Sequence, residues 1–148
     1  MASILLRDVT LGDERKDILI GQGRIRKIGP VGSCADWEMA GDLDIMDCSG
    51  MVAIPGLINM HTHSPMSLMR GIGEDMLFPA WLDKIWKVEE HLYHDFVYWA
   101  TKVSCLEMIR TGTTTFNDQY WFFDSSVKAA REMGMRTLRE AGMLKVAS

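Results

Sequence analysis

Pro55-Gly56-Leu57-Ile58-Asn59-Met60-His61-Thr62-His63 is the stretch that decides the fold. Pro-Gly marks a turn, and Leu57-Ile58 makes the apolar entry of an interior strand. Side chains two apart on a strand share a face. His61 and His63 can therefore aim both imidazoles at one metal ion while Thr62 points the other way. His-x-His also occurs incidentally on surface strands. Here the turn, the apolar run and the sequence that follows favour a metal pair.

Beyond His63 the pattern becomes helical. Trp81, Leu82, Ile85, Trp86, Leu92, Tyr93, Phe96 and Val97 recur at spacings of three and four, and Val103, Leu106 and Ile109 continue the series. Two helices are predicted, broken near Tyr93 to Asp95, with Gly112 as the stop. Thr113-Thr114-Thr115-Phe116 then reads as a β-branched strand. Asp124 is the predicted N-cap of a helix through Met133 that Gly134 closes, and Met135 to Leu138 reads as another strand. The order strand, helices, strand, helix, strand is the rhythm of βα units on a parallel sheet.

Upstream, the chain reads as short strands with no helix. Ile4-Leu5-Leu6 is one. Asp17-Ile18-Leu19-Ile20 and Arg24-Ile25-Arg26-Lys27-Ile28 flank Gly21-Gln22-Gly23 as a hairpin. Residues 31–43 read as a polar loop, and Asp44 to Cys48 and Met51 to Ile54 as two further strands. No internal repeat or low-complexity segment interrupts the chain.

Composition narrows the function classes. A net charge of −4 without a Lys/Arg cluster argues against a nucleic-acid partner. No apolar run approaches the eighteen residues of a membrane span, and the first residues lack the pattern of a signal peptide. Cys34, Cys48 and Cys105 are odd in number and widely spaced, so reduced thiols and a cytoplasmic setting are expected. The twelve Met read as adaptable core filler.

These motifs resemble the opening third of a metal-dependent amidohydrolase. They are most similar to the branch that holds S-adenosylhomocysteine/methylthioadenosine deaminases, guanine and cytosine deaminases, and triazine chlorohydrolases. The resemblance is carried by the hairpin Asp17 to Gly29, by Pro55 to His63, by Pro65-Met66-Ser67-Leu68-Met69-Arg70-Gly71, by Trp81-Leu82 and Ile85-Trp86, and by Glu107 to Thr114. It implies an α/β fold. Residues 1–54 would be part of a small β-sandwich, and residues 55–148 about three βα units of a (β/α)8 TIM-type barrel.

The resemblance also implies that His61 and His63 are ligands of one divalent ion, zinc or iron. That ion activates water against a ring carbon of a small nitrogen heterocycle. Glu89 matches the position of a substrate-contacting Glu, although Lys87-Val88-Glu89 replaces the usual Pro-x-Glu. Its alternative is a solvated acidic helix face shared with Glu90. Trp86, with Trp81, reads either as pocket lining or as core. His91 and His94 read as ordinary helix positions. Asp118 is open to a catalytic role, a turn or a helix cap.

The branch uses two more His, an Asp and a Glu from later strands, whereas His94 is the last His here. Two His alone would hold a metal weakly, since a catalytic zinc takes about three protein ligands and a water. A complete barrel needs about 250 residues. The expectation is therefore an incomplete amidohydrolase, ending near Gly142-Met143-Leu144-Lys145 and inactive by itself. Two alternatives remain. One is a non-catalytic module that self-associates through open strand edges; the other is a dihydroorotase-like two-metal site.

Overall fold

The computed structural model describes residues 3–38 and 43–139. The chain divides into two compact units, Met1–Pro55 and Gly56–Ser148.

The first unit is a four-stranded sheet in the order β3-β2-β1-β4. Strands β1 (Ser3–Leu11), β2 (Glu14–Gly21) and β3 (Arg24–Pro30) pair antiparallel in sequence, while β4 (Leu43–Asp47) lies parallel to β1. The predicted hairpin forms around Gln22 and Gly23, whose φ values of 55° and 69° give the turn that matches strand twist.

A bulge between Leu6 and Val9 changes which face β1 presents. Leu5 packs with Leu19 and Cys34, whereas Val9 joins Ile18 and Cys48 in a second cluster. Asp17 holds this bend from inside. Its buried carboxylate accepts hydrogen bonds from the backbone N–H of Asp8 at 3.0 Å and of Gly32 at 2.8 Å.

Two expectations for this unit need correction. A single helical turn, α1 (Ala35–Glu38), interrupts the predicted loop, and residues 39–42 of that loop lie outside the described residues. Met51 to Ile54 makes only an isolated bridge, Val52 to Thr10, because β1 ends one residue further on, at Leu11.

The second unit is a parallel sheet in the order β5-β6-β7, built from β5 (Leu57–Thr62), β6 (Thr113–Asp118) and β7 (Arg136–Arg139). A 3-10 turn (Ser64–Met69), α2 (Phe78–Glu89) and α3 (His94–Arg110) connect β5 to β6, and α4 (Phe123–Glu132) connects β6 to β7. Val97, Ala100, Thr101, Cys105 and Met108 form the buried stripe of α3, at helical spacing. Small residues Ser126, Ala129 and Ala130 bury α4. Between these helices and the sheet sits the cluster of Cys105, Met108, Phe116, Ala130 and Met135.

Both helix stops fall where the glycines predict. Gly112 and Gly134 take positive φ, and the N–H of Met135 reaches back to the carbonyl of Ala130. The N-cap expectation fails. Phe122, in left-handed backbone at φ 51°, holds the cap position of α4 without a side-chain cap. Asp124 lies inside the first turn, where its charge still meets the positive helix end. The expected end of the last unit, residues 142–145, lies outside the described residues.

Candidate metal centre

Parallel pairing brings the ends of β5 and β6 together, with Thr62 beside Asp118. Residues 61–64 and 118–121 therefore meet at the carboxyl end of the sheet. This is where α/β folds place ligands.

The imidazoles of His61 and His63 stand 5.0 Å apart, centroid to centroid, at an interplanar angle of 82°. With metal–nitrogen bonds of about 2.0–2.1 Å in a roughly tetrahedral shell, two rings sharing one ion lie about that far apart. His61 is exposed, and its imidazole makes no hydrogen bond among the described residues. His63 is half-buried and anchored: Nδ1 lies 2.7 Å from the carbonyl oxygen of Gln119. A carbonyl only accepts, so Nδ1 carries a proton, and in the neutral ring Nε2 is the nitrogen with a lone pair to offer a metal. The donor set fits half of a zinc-type shell. No group of three or more His, Cys, Asp or Glu side chains that could hold a metal ion forms among the described residues.

Asp118 is fully buried at the end of β6. Its Oδ1 accepts the backbone N–H of Ser64 at 2.8 Å, and its Oδ2 accepts the hydroxyls of Ser64 at 2.6 Å and Ser126 at 2.5 Å. Thr101 sits within 3.2 Å of both serine hydroxyls. Burial, and then the charge of Asp118, push the nearby Cys105 thiol up to about 11.

Glu89 lies in the last turn of α2 and is held from the loop after β6. Its Oε1 accepts the Tyr120 hydroxyl at 2.7 Å and its Oε2 the Trp121 indole N–H at 3.2 Å. Burial raises the Tyr120 phenol far above its ordinary value, and the Glu89 carboxylate adds to the rise. The Tyr120 ring is 6.2 Å from that of His63, so Glu89 and His63 flank one tyrosine.

The other candidates stand apart. Trp86 is 52% exposed, and no hydrogen bond or ring contact joins it to the histidines or Glu89 among the described residues. Trp81 stacks on Phe78. His91 bonds the Lys87 carbonyl in the turn after α2, and His94 opens α3 against Ser125 and Phe122. Sequence reasoning missed Ser64, Gln119, Tyr120, Trp121 and Ser126. Gln119 acts through its backbone, for which no side-chain signal exists. The others become partners only once β5 and β6 pair.

Comparison with known proteins places the chain in a family. The sequence profile of the amidohydrolase family matches residues 52–147, and the chain belongs to that family. It is 45% identical over 142 residues to the 5'-deoxyadenosine deaminase of Methanocaldococcus jannaschii, covering 95% of this chain and 33% of that protein. It is 41% identical over 157 aligned positions to a 5-methylthioadenosine/S-adenosylhomocysteine deaminase of Pelotomaculum thermopropionicum, covering all of this chain and 36% of that one. The chain thus spans about a third of the length of the curated relatives it matches.

Among solved structures it resembles a mutant atrazine chlorohydrolase from Arthrobacter aurescens in complex with zinc and atraton. The TM-score is 0.80 at 26% identity, over 97% of this chain and 36% of that one. It also resembles an adenosine deaminase from Xanthomonas campestris with bound zinc, with a TM-score of 0.70 at 28% identity over 91% and 33%.

Proposed function

We propose that this chain forms about a third of a mononuclear metal-dependent deaminase acting on the C–N bond of an adenine nucleoside. The observation that carries the reading is the pair of imidazoles 5.0 Å apart at the carboxyl end of β5. Its three parallel strands and connecting helices would be the first βα units of a TIM-type barrel, and its N-terminal sheet part of a small sandwich. His61 and His63 would supply two ligands to one divalent ion, zinc or iron. The names of the relatives support adenine nucleosides as the substrate class. When bound, the ion supplies a water made acidic enough to be a nucleophile near neutral pH.

The chain's own residues then do three things. His63 is pre-set by Gln119 to offer Nε2. Glu89, with two of its roughly four acceptor sites taken by Tyr120 and Trp121, keeps the remaining ones for substrate hydroxyls. Asp118, buried with three donors on its oxygens, would support the site from behind.

Leu57, Ile58 and Met60 leave an apolar row exposed along β5. Further barrel strands would cover it in a longer protein, and self-association would cover it in this chain alone. Among the described residues no helix is long and apolar enough to cross a membrane. The three unpaired, buried cysteines fit a cytoplasmic setting.

The test is metal analysis and turnover of 5'-deoxyadenosine by the intact protein, followed through the absorbance change as adenine becomes hypoxanthine. About one divalent ion per chain and turnover are expected. Both should be lost together in His61→Ala/His63→Ala. Retention of the ion by the double variant would refute the assignment.

A further inference from the structure

We propose that Asp118 is the positioning residue of the metal centre, setting the imidazole of His63 through Ser64; the proposal rests on the reading of His63 as a ligand. Four hydrogen bonds tie residues 62–64 to residues 118–119. The Gln119 N–H donates to the Thr62 carbonyl at 3.1 Å, and His63 Nδ1 donates to the Gln119 carbonyl at 2.7 Å. The Ser64 N–H and hydroxyl donate to the two Asp118 oxygens at 2.8 and 2.6 Å.

The imidazole is therefore bracketed. One side is held by the backbone of residue 119, and the residue that follows it is held by the carboxylate of residue 118. The grip extends into the helix layer: Ser104 donates to the Ser64 carbonyl at 2.7 Å, and Ser126 donates to Asp118. Every backbone and side-chain polar atom of Ser64 is thus engaged, so the chain direction leaving His63 is over-determined.

The carboxylate satisfies three buried donors, the Ser64 N–H and the hydroxyls of Ser64 and Ser126. Asp118 is buried, and its hydrogen-bond donors among the described residues are uncharged. What an apolar residue cannot do is accept the Ser64 N–H and orient its hydroxyl. The acceptor geometry of Asp118 accordingly serves the direction of His63. That direction is what a metal site takes from the groups behind its ligands. Asp118 is fully buried and acts through Ser64, so the role proposed for it is positioning.

The experiment uses the intact, metal-free protein labelled with 15N-histidine, at a pH above the ordinary histidine range. Long-range proton–nitrogen correlation reads the His63 tautomer, and His63→Gln assigns the signal. Cobalt(II) titration then reads affinity. Wild type is expected as the single Nδ1–H tautomer. Asp118→Ala is expected as a tautomer mixture with cobalt affinity reduced about 10–100-fold. Asp118→Asn keeps an acceptor for the Ser64 N–H and should retain the tautomer, with affinity within about threefold of wild type.

A folded Asp118→Ala with an unchanged Nδ1–H signal overturns the proposal. Should that variant fail to fold, Ser64→Ala/Ser126→Ala decides, because it strips two of the carboxylate's three donors. A mixed tautomer there supports positioning, and a wild-type signal overturns it. If the tautomer responds as expected but no form binds cobalt, the metal reading fails while the bracket stands.

Discussion

Replacing Tyr120 with Phe, in a cycle with Glu89, probes one hydrogen bond at the candidate site. The ring stays, so the contacts of this buried side chain with Met69 and Val97 are kept and no cavity opens. What disappears is the hydroxyl donated to Glu89 Oε1 at 2.7 Å, together with its weaker contact to Met69 Sδ at 3.6 Å, leaving the carboxylate with Trp121 at 3.2 Å. A hydrogen bond to a charged group contributes about 1.5–3 kcal/mol. Glu89 is only half-buried and water can replace the lost donor, so the low end, about 1.5 kcal/mol, is the expected cost.

With a urea m-value of about 2 kcal/mol/M, the unfolding midpoint should fall by somewhat under ~1 M. A double-mutant cycle with Glu89→Ala removes background effects and should return a coupling of about 1–1.5 kcal/mol. Glu89→Gln sharpens the test. The indole N–H can only donate, so the amide oxygen must face Trp121 and the amide N–H the tyrosine. That variant should keep the fold and lose only the charge-assisted part. A coupling below about 0.3 kcal/mol, the level of ordinary additivity, would refute the claim that Tyr120 anchors Glu89.

A Cβ on Gly56 would overlap the Cγ2 and Oγ1 atoms of Thr114 and stand 2.9 Å from its Cβ. Gly56→Ala should therefore destabilise by about 1–3 kcal/mol in thermal denaturation, with partial recovery in the Gly56→Ala/Thr114→Ala pair. Cys105 gives a pH prediction. Its folded value is about 11, set first by burial and then by Asp118, against about 8.5 for a free thiol. The folded state thus keeps a proton that the unfolded state releases. Stability from this group is full below about pH 8.5 and declines as pH rises toward the folded value. Denaturation midpoints across that window check it, and Cys105 should resist alkylation at neutral pH until the protein unfolds.

Local sequence decided a good deal. Alternation, β-branched runs and glycine stops placed β2, β3, β5, β6 and the ends of α3 and α4, because those signals are written in neighbouring residues. The His-x-His spacing was legible as a candidate pair. However, β5 ends at Thr62 and His63 stands just beyond it with ψ 72°, so the turn before Ser64, and not a strand's two-residue period, sets the direction of the second imidazole. Glu89 was visible only through family resemblance, since an acidic residue near a helix end has many ordinary uses.

What tertiary structure alone decided is the environment of those residues. Asp118 read as a turn or cap residue, with a catalytic role also open, until parallel pairing of β5 and β6 set it against Ser64, 54 residues away. Gln119 entered the site through a carbonyl, which no side-chain pattern can announce. Phe122 displaced Asp124 from the cap of α4 because the loop's path, not cap chemistry, set where the helix begins. The division follows the range of the interactions: strand and helix periods are set by residues a few positions apart, whereas hydrogen bonds across a parallel sheet exist only after the crossover has brought distant segments together.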